Sequence, residues 1–360
     1  MPELLAYYCD DLIRKSKASD TELERELDKL VKLFSYLEDK DLFHESYRRF
    51  LSKRLLKRGS KERSEGLERE MISKPKVLAG VAFANKLEGM FTDMKTSRYI
   101  IKQFNTKQSE DAKFQTGYEL IVQVLNSNHW PIQQQDANQL QLTSELRDGV
   151  ERFNSFYGGM MQNRRLQWIH LQGNVSLHLQ LERKHELVVS THQACVLLQF
   201  NEGDSHALAT LSEVLKLDAD DLQKVVEPLI APKLPILICE KGVCRWIADW
   251  VPDKLRITVA SAVPRYTRRE SSEIKKVVDV DRSFQVDAAI VRVMKSRRTM
   301  LAAALVAEVC AQLMSHFVAQ PKFVKQRIDT LIEREYLGRE KGGYTYRAKR
   351  TRAMHSHHSL

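Results

Sequence analysis

The chain has 360 residues, of which 43% are hydrophobic and 29% charged; this supports a buried core and excludes a disordered polymer. No apolar run reaches the roughly 20 residues that a membrane span needs, and the start MPELLAYYCDDLIRKS lacks the charge-then-apolar order of a secretion signal, so cytoplasm and nucleus are the expected compartments. A formal net charge of +10 implies an acidic partner, and residues 290–360 concentrate it, with 14 Lys and Arg against 5 Asp and Glu.

From residue 2 to about 157 the apolar rhythm is helical. Leu23, Leu27, Leu30, Val31, Phe34 and Leu37, then Leu42, Phe43, Phe50, Leu51 and Leu55, recur at three and four. RGSKERSEGLERE reads as a charged loop before a helix starting near Leu67, and Pro75 is expected to kink the next helix or move its boundary. Thr143 or Ser144 caps a further helix that ends on Gly158 and Gly159. These helices need partners, and the expectation over 1–157 is a helical bundle.

From about 164 the period changes to two. Leu166, Trp168, Ile169, Leu171, Val175, Leu177, Leu179 and Leu181 suit paired strands turning at Gly173 and Asn174. A strand running into a buried helix follows in HELVVSTHQACVLLQFN, then helix, turn, helix and hairpin, the order of a winged helix. The α/β part is read as 158–263, and the polar segment 264–276 as a linker. Residues 277–348 repeat the plan of three helices and a Gly-Gly hairpin as a C-terminal winged helix, and 349–360 form a disordered tail. The fold class is mainly α with a small α+β part.

No Walker loop, dinucleotide glycine pattern, HExxH or GxSxG occurs, and no cofactor or metal is expected. Five scattered cysteines argue against a disulfide framework. CEKGVC reads as a hairpin turning at Lys241 and Gly242, with Cys239 and Cys244 as small buried residues. His170, His178, His185 and His192 read as satisfied or surface histidines, and HSHH in the tail as without a role.

The segment IVRVMKSRR places one lysine among arginines. On a helix, Ile290, Val293, Met294 and Met300 or Leu301 enter a core, while Lys295 faces outward beside Arg292, Arg297 and Arg298. A solvated helix face is the plain reading. A winged helix also suggests arginines on phosphates, with Lys322, Lys325 and Arg327 on the later helix. On residues alone, nucleic-acid binding and protein scaffolding stand near even.

VDAAIVRVMKSRRTM resembles the modification segment of the cullin family, and IDTLIEREYLGRE with YTYRA resembles its C-terminal signature. PELLAYYCDDLIRKS, YLEDKDLFHESYRRFLSKRLL, EREMISK, VQVLNSNHWP, FNSFYGG, LQWIHLQGNVSL and HQACVLLQFN are similar to further family segments, in order along about 340 residues; the flavour is SCF-type, cullin-1-like. The resemblance implies a non-catalytic scaffold of a ubiquitin ligase, acting in ubiquitin-dependent protein degradation. Its partners would be a RING-box protein, a ubiquitin-conjugating enzyme, the ubiquitin-like modifier of neddylation with its ligation machinery, the deneddylating signalosome and a cullin-exchange factor, with no membrane. Lys295 would be the isopeptide acceptor. A strand of the RING subunit would join the sheet around Leu166–Leu181 and Glu186–Val189, with Leu166, Trp168, Ile169, Leu171 and Val188 as its binding residues. Arg49, Lys53 and Arg54 would steer the acidic tail of the conjugating enzyme.

The sequence departs from the family in three places. The chain begins where the family's C-terminal half begins, so the helical repeats that bind substrate-receptor adaptors are expected to be missing, and the chain to hold a charged enzyme without choosing a substrate. Pro75 and Ala79 stand where the family carries a helix-compatible residue and a cysteine. Twelve residues run past Ala348.

Overall fold

The computed structural model describes residues 1–15, 20–56, 62–131, 140–180, 184–247, 250, 254–260 and 268–347. The tail 349–360, Leu181 and Pro264, the first residue of the expected linker, lie outside them. In chain order come α1 (Pro2–Lys15), α2 (Asp20–Ser35), α3 (Lys40–Leu56), α4 (Glu62–Ala79), α5 (Val81–Glu110) and α6 (Ser144–Met160). Then follow β1 (Asn174–Gln180), β2 (Lys184–Ser190), α7 (Thr191–Gln199), β3 (Ser205–Ala207), α8 (Leu208–Leu215), α9 (Ala219–Val226), β4 (Leu237–Glu240), β5 (Val243–Trp246) and β6 (Arg256–Thr258). The chain ends with α10 (Arg268–Arg297), β7 (Thr299–Leu301), α11 (Ala302–Leu313), α12 (Pro321–Glu333), β8 (Leu337–Glu340) and β9 (Gly343–Tyr346).

These elements form two compact units. One holds residues 1–92, 126–131 and 266–360; the other holds 93–125 and 132–265. The helices expected as one bundle over 1–157 are thus divided, with α5 contributing to both units. Residues 268–276, read from sequence as linker, are the first turns of α10. Their polar, charge-rich composition alone does not separate a helix start from a loop.

In the first unit α2 buries Leu23, Leu27, Leu30 and Phe34, the expected stripe. Helix α3 is different. It buries Glu45, Ser46, Tyr47 and Arg48 together with Phe43, Phe50 and Leu51, because it is enclosed on several sides. Its buried charges are compensated locally. Arg54 donates to Glu68 and Asp10, and the Tyr47 hydroxyl donates to Glu68 at 2.6 Å. Burial pushes the Tyr47 phenol well up, and the adjacent Glu68 carboxylate adds to this.

Helix α4 starts at Glu62, earlier than expected, and runs through Pro75 to Ala79. It ends instead at Gly80, at φ +84, whose N–H donates to the Lys76 carbonyl at 2.9 Å. Pro75 therefore moves no boundary, although it removes one helical donor.

The C-terminal part of this unit is a winged helix: α10, β7, α11 and α12 are followed by the β8–β9 hairpin, in the sheet order β7-β9-β8. Its core gathers Val286, Ile290, Val293 and Met294 of α10 with Leu305 and Val309 of α11, Val324 and Ile328 of α12, and Leu337.

The second unit repeats the arrangement. Strand β2 runs into α7 through Ser190, whose hydroxyl accepts from the Gln193 N–H while the Gln193 side chain accepts from the Ser190 N–H. Helices α8 and α9 and the β4–β5 hairpin follow, in the sheet order β3-β5-β4. A separate mixed sheet has the order β1-β2-β6, antiparallel and then parallel.

Candidate functional site

The last turn of α10 presents the lysine. Ile290, Val293 and Met294 are fully or almost fully buried, which fixes the rotation of the helix and turns Arg292, Lys295 and Arg297 to solvent. The helix stops at Arg297 rather than continuing to Leu301. Arg298 takes φ +68, its N–H donates to the Met294 carbonyl at 2.9 Å, and its own carbonyl accepts from the Tyr346 N–H at 2.8 Å. Met300 and Leu301 accordingly belong to β7, and Leu301 is exposed.

The neighbouring cations have distinct surroundings. Arg297 lies 3.8 Å from Glu308, and the Arg298 guanidinium sits over the Tyr346 ring at 5.8 Å. Lys295 is exposed, and no carboxylate among the described residues pairs with it. A primary amine on a rigid helix end, flanked by cations and open to solvent, can act as a nucleophile toward an activated acyl group.

Of the three cations that the basic reading places on the later helix, one is engaged inside the winged unit. Arg327 of α12 is engaged with Asp287 of α10 through two hydrogen bonds of 2.8 and 2.5 Å. Lys322 and Lys325 are exposed.

The strand residues expected to receive a visiting strand are corrected. Leu166, Trp168 and Ile169 lie in irregular backbone and Leu171 in a short 3-10 turn, His170–Gln172. Their alternation comes from docking: Leu166 and Trp168 pack against Phe153 and its neighbours, and Trp168 Nε1 donates to Asn154 Oδ1 at 2.9 Å. Gly173 is not a hairpin turn. A side chain there would meet Thr191 Oγ1 at 2.3 Å, and β1 starts at the next residue. Val188 is in the central strand, paired to Ser176 on one side and Thr258 on the other. The outer strands of this sheet are β1 and β6.

The basic patch on α3 is corrected too. The Arg54 side chain is 9% exposed inside its carboxylate cage, and that of Arg49 is 13% exposed beside Glu45 and Glu273. Only Lys53 of the three is exposed. Periodicity placed these residues on a helix; it carried no signal that nearly every face of that helix is covered.

One reading of the sequence is corrected and one feature was missed: the hairpin at Lys241 and Gly242 forms, but its cysteines are not two free small buried residues, and Cys239 is only half-buried. Cys239 and Cys244, directly opposed on β4 and β5, are joined by a disulfide. Arg282 on α10 is held by Asp39 and Asp41, near the start of α3. Among the described residues no group of three His, Cys, Asp or Glu is arranged to hold a metal, and no helix is long and apolar enough to cross a membrane.

Comparison with known proteins places these parts. The cullin alpha solenoid domain matches residues 1–100, the cullin alpha+beta domain residues 124–250, and the cullin protein neddylation domain residues 281–343, which include Lys295. The chain belongs to the cullin family.

Cullin-3B of Arabidopsis thaliana is 35% identical over 353 residues, covering 94% of this chain and 47% of the relative. Cullin-1 of Oryza sativa subsp. japonica is 35% identical over 351 residues, 94% and 46%. Cullin-4A of Homo sapiens is 36% identical over 351 residues, 94% and 45%. This cullin therefore spans about half the length of the curated relatives it matches. Identity is level across these subclasses, so it does not favour the SCF-type, cullin-1-like reading.

Proposed function

We propose that this cullin is a non-catalytic scaffold of a cullin-RING ubiquitin ligase, switched on by neddylation of Lys295. The observation that carries the reading is the amine itself: exposed, unpaired among the described residues, and inside the segment matched by the neddylation domain. Formation of an isopeptide there would attach a second folded domain to the C-terminal winged helix without disturbing its core, because the residues that fix α10 lie on the opposite face.

The RING-box protein would add a strand at the outer edge of β1, which lies within the span Leu166–Leu181 read from sequence, rather than at Leu166, Trp168, Ile169 and Leu171 ahead of it. Residues 277–347 would then carry the modifier and the α/β unit the RING subunit, with the conjugating enzyme held through the RING. The modifier's ligation machinery, a deneddylating signalosome and an exchange factor complete the set of partners, in cytoplasm and nucleus. The nucleic-acid alternative loses Arg327 to its pair with Asp287 but keeps exposed Lys322 and Lys325; the neddylation-domain match over this unit is what favours the scaffold.

Co-expression with a RING-box protein tests the scaffold role. The expected result is a one-to-one complex that survives size-exclusion chromatography. Separate elution of two folded proteins contradicts it.

A further inference from the structure

The β4–β5 hairpin turns at Lys241 and Gly242, both with positive φ, of 51° and 80°. Such a two-residue turn makes Glu240 and Val243 the first pair of the ladder and Cys239 and Cys244 the second. In an antiparallel ladder that second position is the one without hydrogen bonds between the opposed residues, where side chains come closest; the two Cα atoms are 4.0 Å apart. The register thus delivers the two sulfurs to each other.

The disulfide is not what closes this hairpin. Strand β5 is also paired with β3, the Gly242 carbonyl accepts from the Leu208 N–H at 2.8 Å, and the Ile236 carbonyl accepts from the Ile247 N–H at 3.3 Å. The bond spans a sequence separation of only 5, so it removes little entropy from an unfolded chain beyond what the turn and ladder already cost. Its two ends differ in access. Cys244 is fully buried in the core of the α/β unit, whereas Cys239 is half-buried on β4, the outer strand of the sheet, between exposed Ile238 and Glu240. The remaining cysteines are poor competitors: burial pushes the Cys9 thiol up to about 12 and the Cys195 thiol up to about 11, and raises that of Cys310.

We propose that Cys239 and Cys244 form a reversible thiol–disulfide site on the wing of the α/β unit, opened by small thiols of the glutathione class and closed by their disulfides. A small thiolate attacks the accessible Cys239 sulfur; the bond to Cys244 breaks, and the Cys244 thiolate takes a proton from water. A second thiolate attacks the mixed disulfide, forming the small-molecule disulfide and releasing the Cys239 thiolate, which is protonated in turn. Two small thiols are oxidised and one protein disulfide is reduced; glutathione disulfide drives the reverse. Opening would leave β5 anchored by β3 and loosen β4, changing the rigidity of the sheet edge that carries Ile238.

The test uses the full chain equilibrated in glutathione disulfide or in reduced glutathione, acid-quenched, unfolded, labelled with a maleimide and weighed. The expected result is three labelled thiols of the five cysteines in the oxidised buffer and five in the reduced one, with an unchanged far-ultraviolet spectrum. Amide exchange of residues 237–240 should be faster in the reduced protein. A Cys239→Ser chain should exchange at the reduced rate in both buffers. Five labels in glutathione disulfide would show that the bond does not form. Three labels in reduced glutathione until denaturant is added would make it a fixed staple. Equal exchange at 237–240 in both states would remove the conformational consequence. Each of these overturns the proposal.

Discussion

Arg282 donates from Nε and Nη2 to the two carboxylate oxygens of Asp41, at 2.6 and 2.8 Å, across 241 positions of sequence. A second bond runs from Nη2 to Asp39 at 2.6 Å, and the guanidinium lies 4.7 Å from the centre of the Phe317 ring. The two carboxylates raise the Arg282 pKa against the opposing effect of burial. The Lys40 N–H also donates to the His316 carbonyl at 3.1 Å, so backbone and side chain fasten α10 and the end of α11 to the start of α3.

This clamp is part-buried, with Arg282 20% and Asp41 15% exposed, and so lies between a screened surface pair and a fully buried one. Arg282→Met is expected to cost about 2 kcal/mol in urea unfolding. A double-mutant cycle with Asp41→Asn should return a coupling of about 1 kcal/mol or more; additive losses would show that the two side chains act independently.

His44 sets an acid limit. Its ring packs against Phe83, with centroids 4.8 Å apart, and burial together with the nearby Arg48 and Lys86 charges lowers its pKa to about 3. In the unfolded chain the same histidine protonates near 6.5. Stability from this group is therefore complete above that pH and is lost as the pH falls, by about 1.4 kcal/mol per unit, until the folded ring also protonates. His44→Phe keeps the ring contact and removes the titration. Its stability should fall less steeply than that of the wild type between pH 6 and 4, as read by urea unfolding; parallel profiles would contradict the assignment.

Gly343 opens β9 opposite Leu301, and a Cβ there would meet the Met300 carbonyl oxygen at 2.3 Å. The obstacle is backbone in a paired strand, which cannot swing aside. Gly343→Ala is expected to destabilise the C-terminal winged helix by about 2 kcal/mol, seen as a lower melting temperature. Gly66, with nothing within 4 Å of its added Cβ, supplies the control, and Gly66→Ala should leave the melting temperature unchanged or slightly raise it.

The elements whose sequence signal is local were legible. The stripe of α2, the burial of Ile290, Val293 and Met294, the outward turn of Lys295 and both winged-helix orders follow from periodicity and turn chemistry. What escaped depended on distant neighbours. Residues 166–171 alternate because Leu166 and Trp168 dock on α6, and period two alone does not separate docking from strand pairing. Arg54 looks like a surface cation until Asp10 and Glu68 arrive from other helices. The end of α10 falls at Arg298, a non-glycine residue in the left-handed region, where sequence offers no glycine or proline as a stop signal. The resemblance of the segment around Lys295 to the cullin family carried the functional reading further than any spacing of residues did.

The most direct measurement is the intact mass of the chain after incubation with the neddylation enzymes, ATP and the modifier, in complex with a RING-box protein. The account predicts one modifier on the wild-type chain and none on Lys295→Arg, with both chains melting at the same temperature. A Lys295→Arg chain that still gains the modifier at wild-type yield would contradict it.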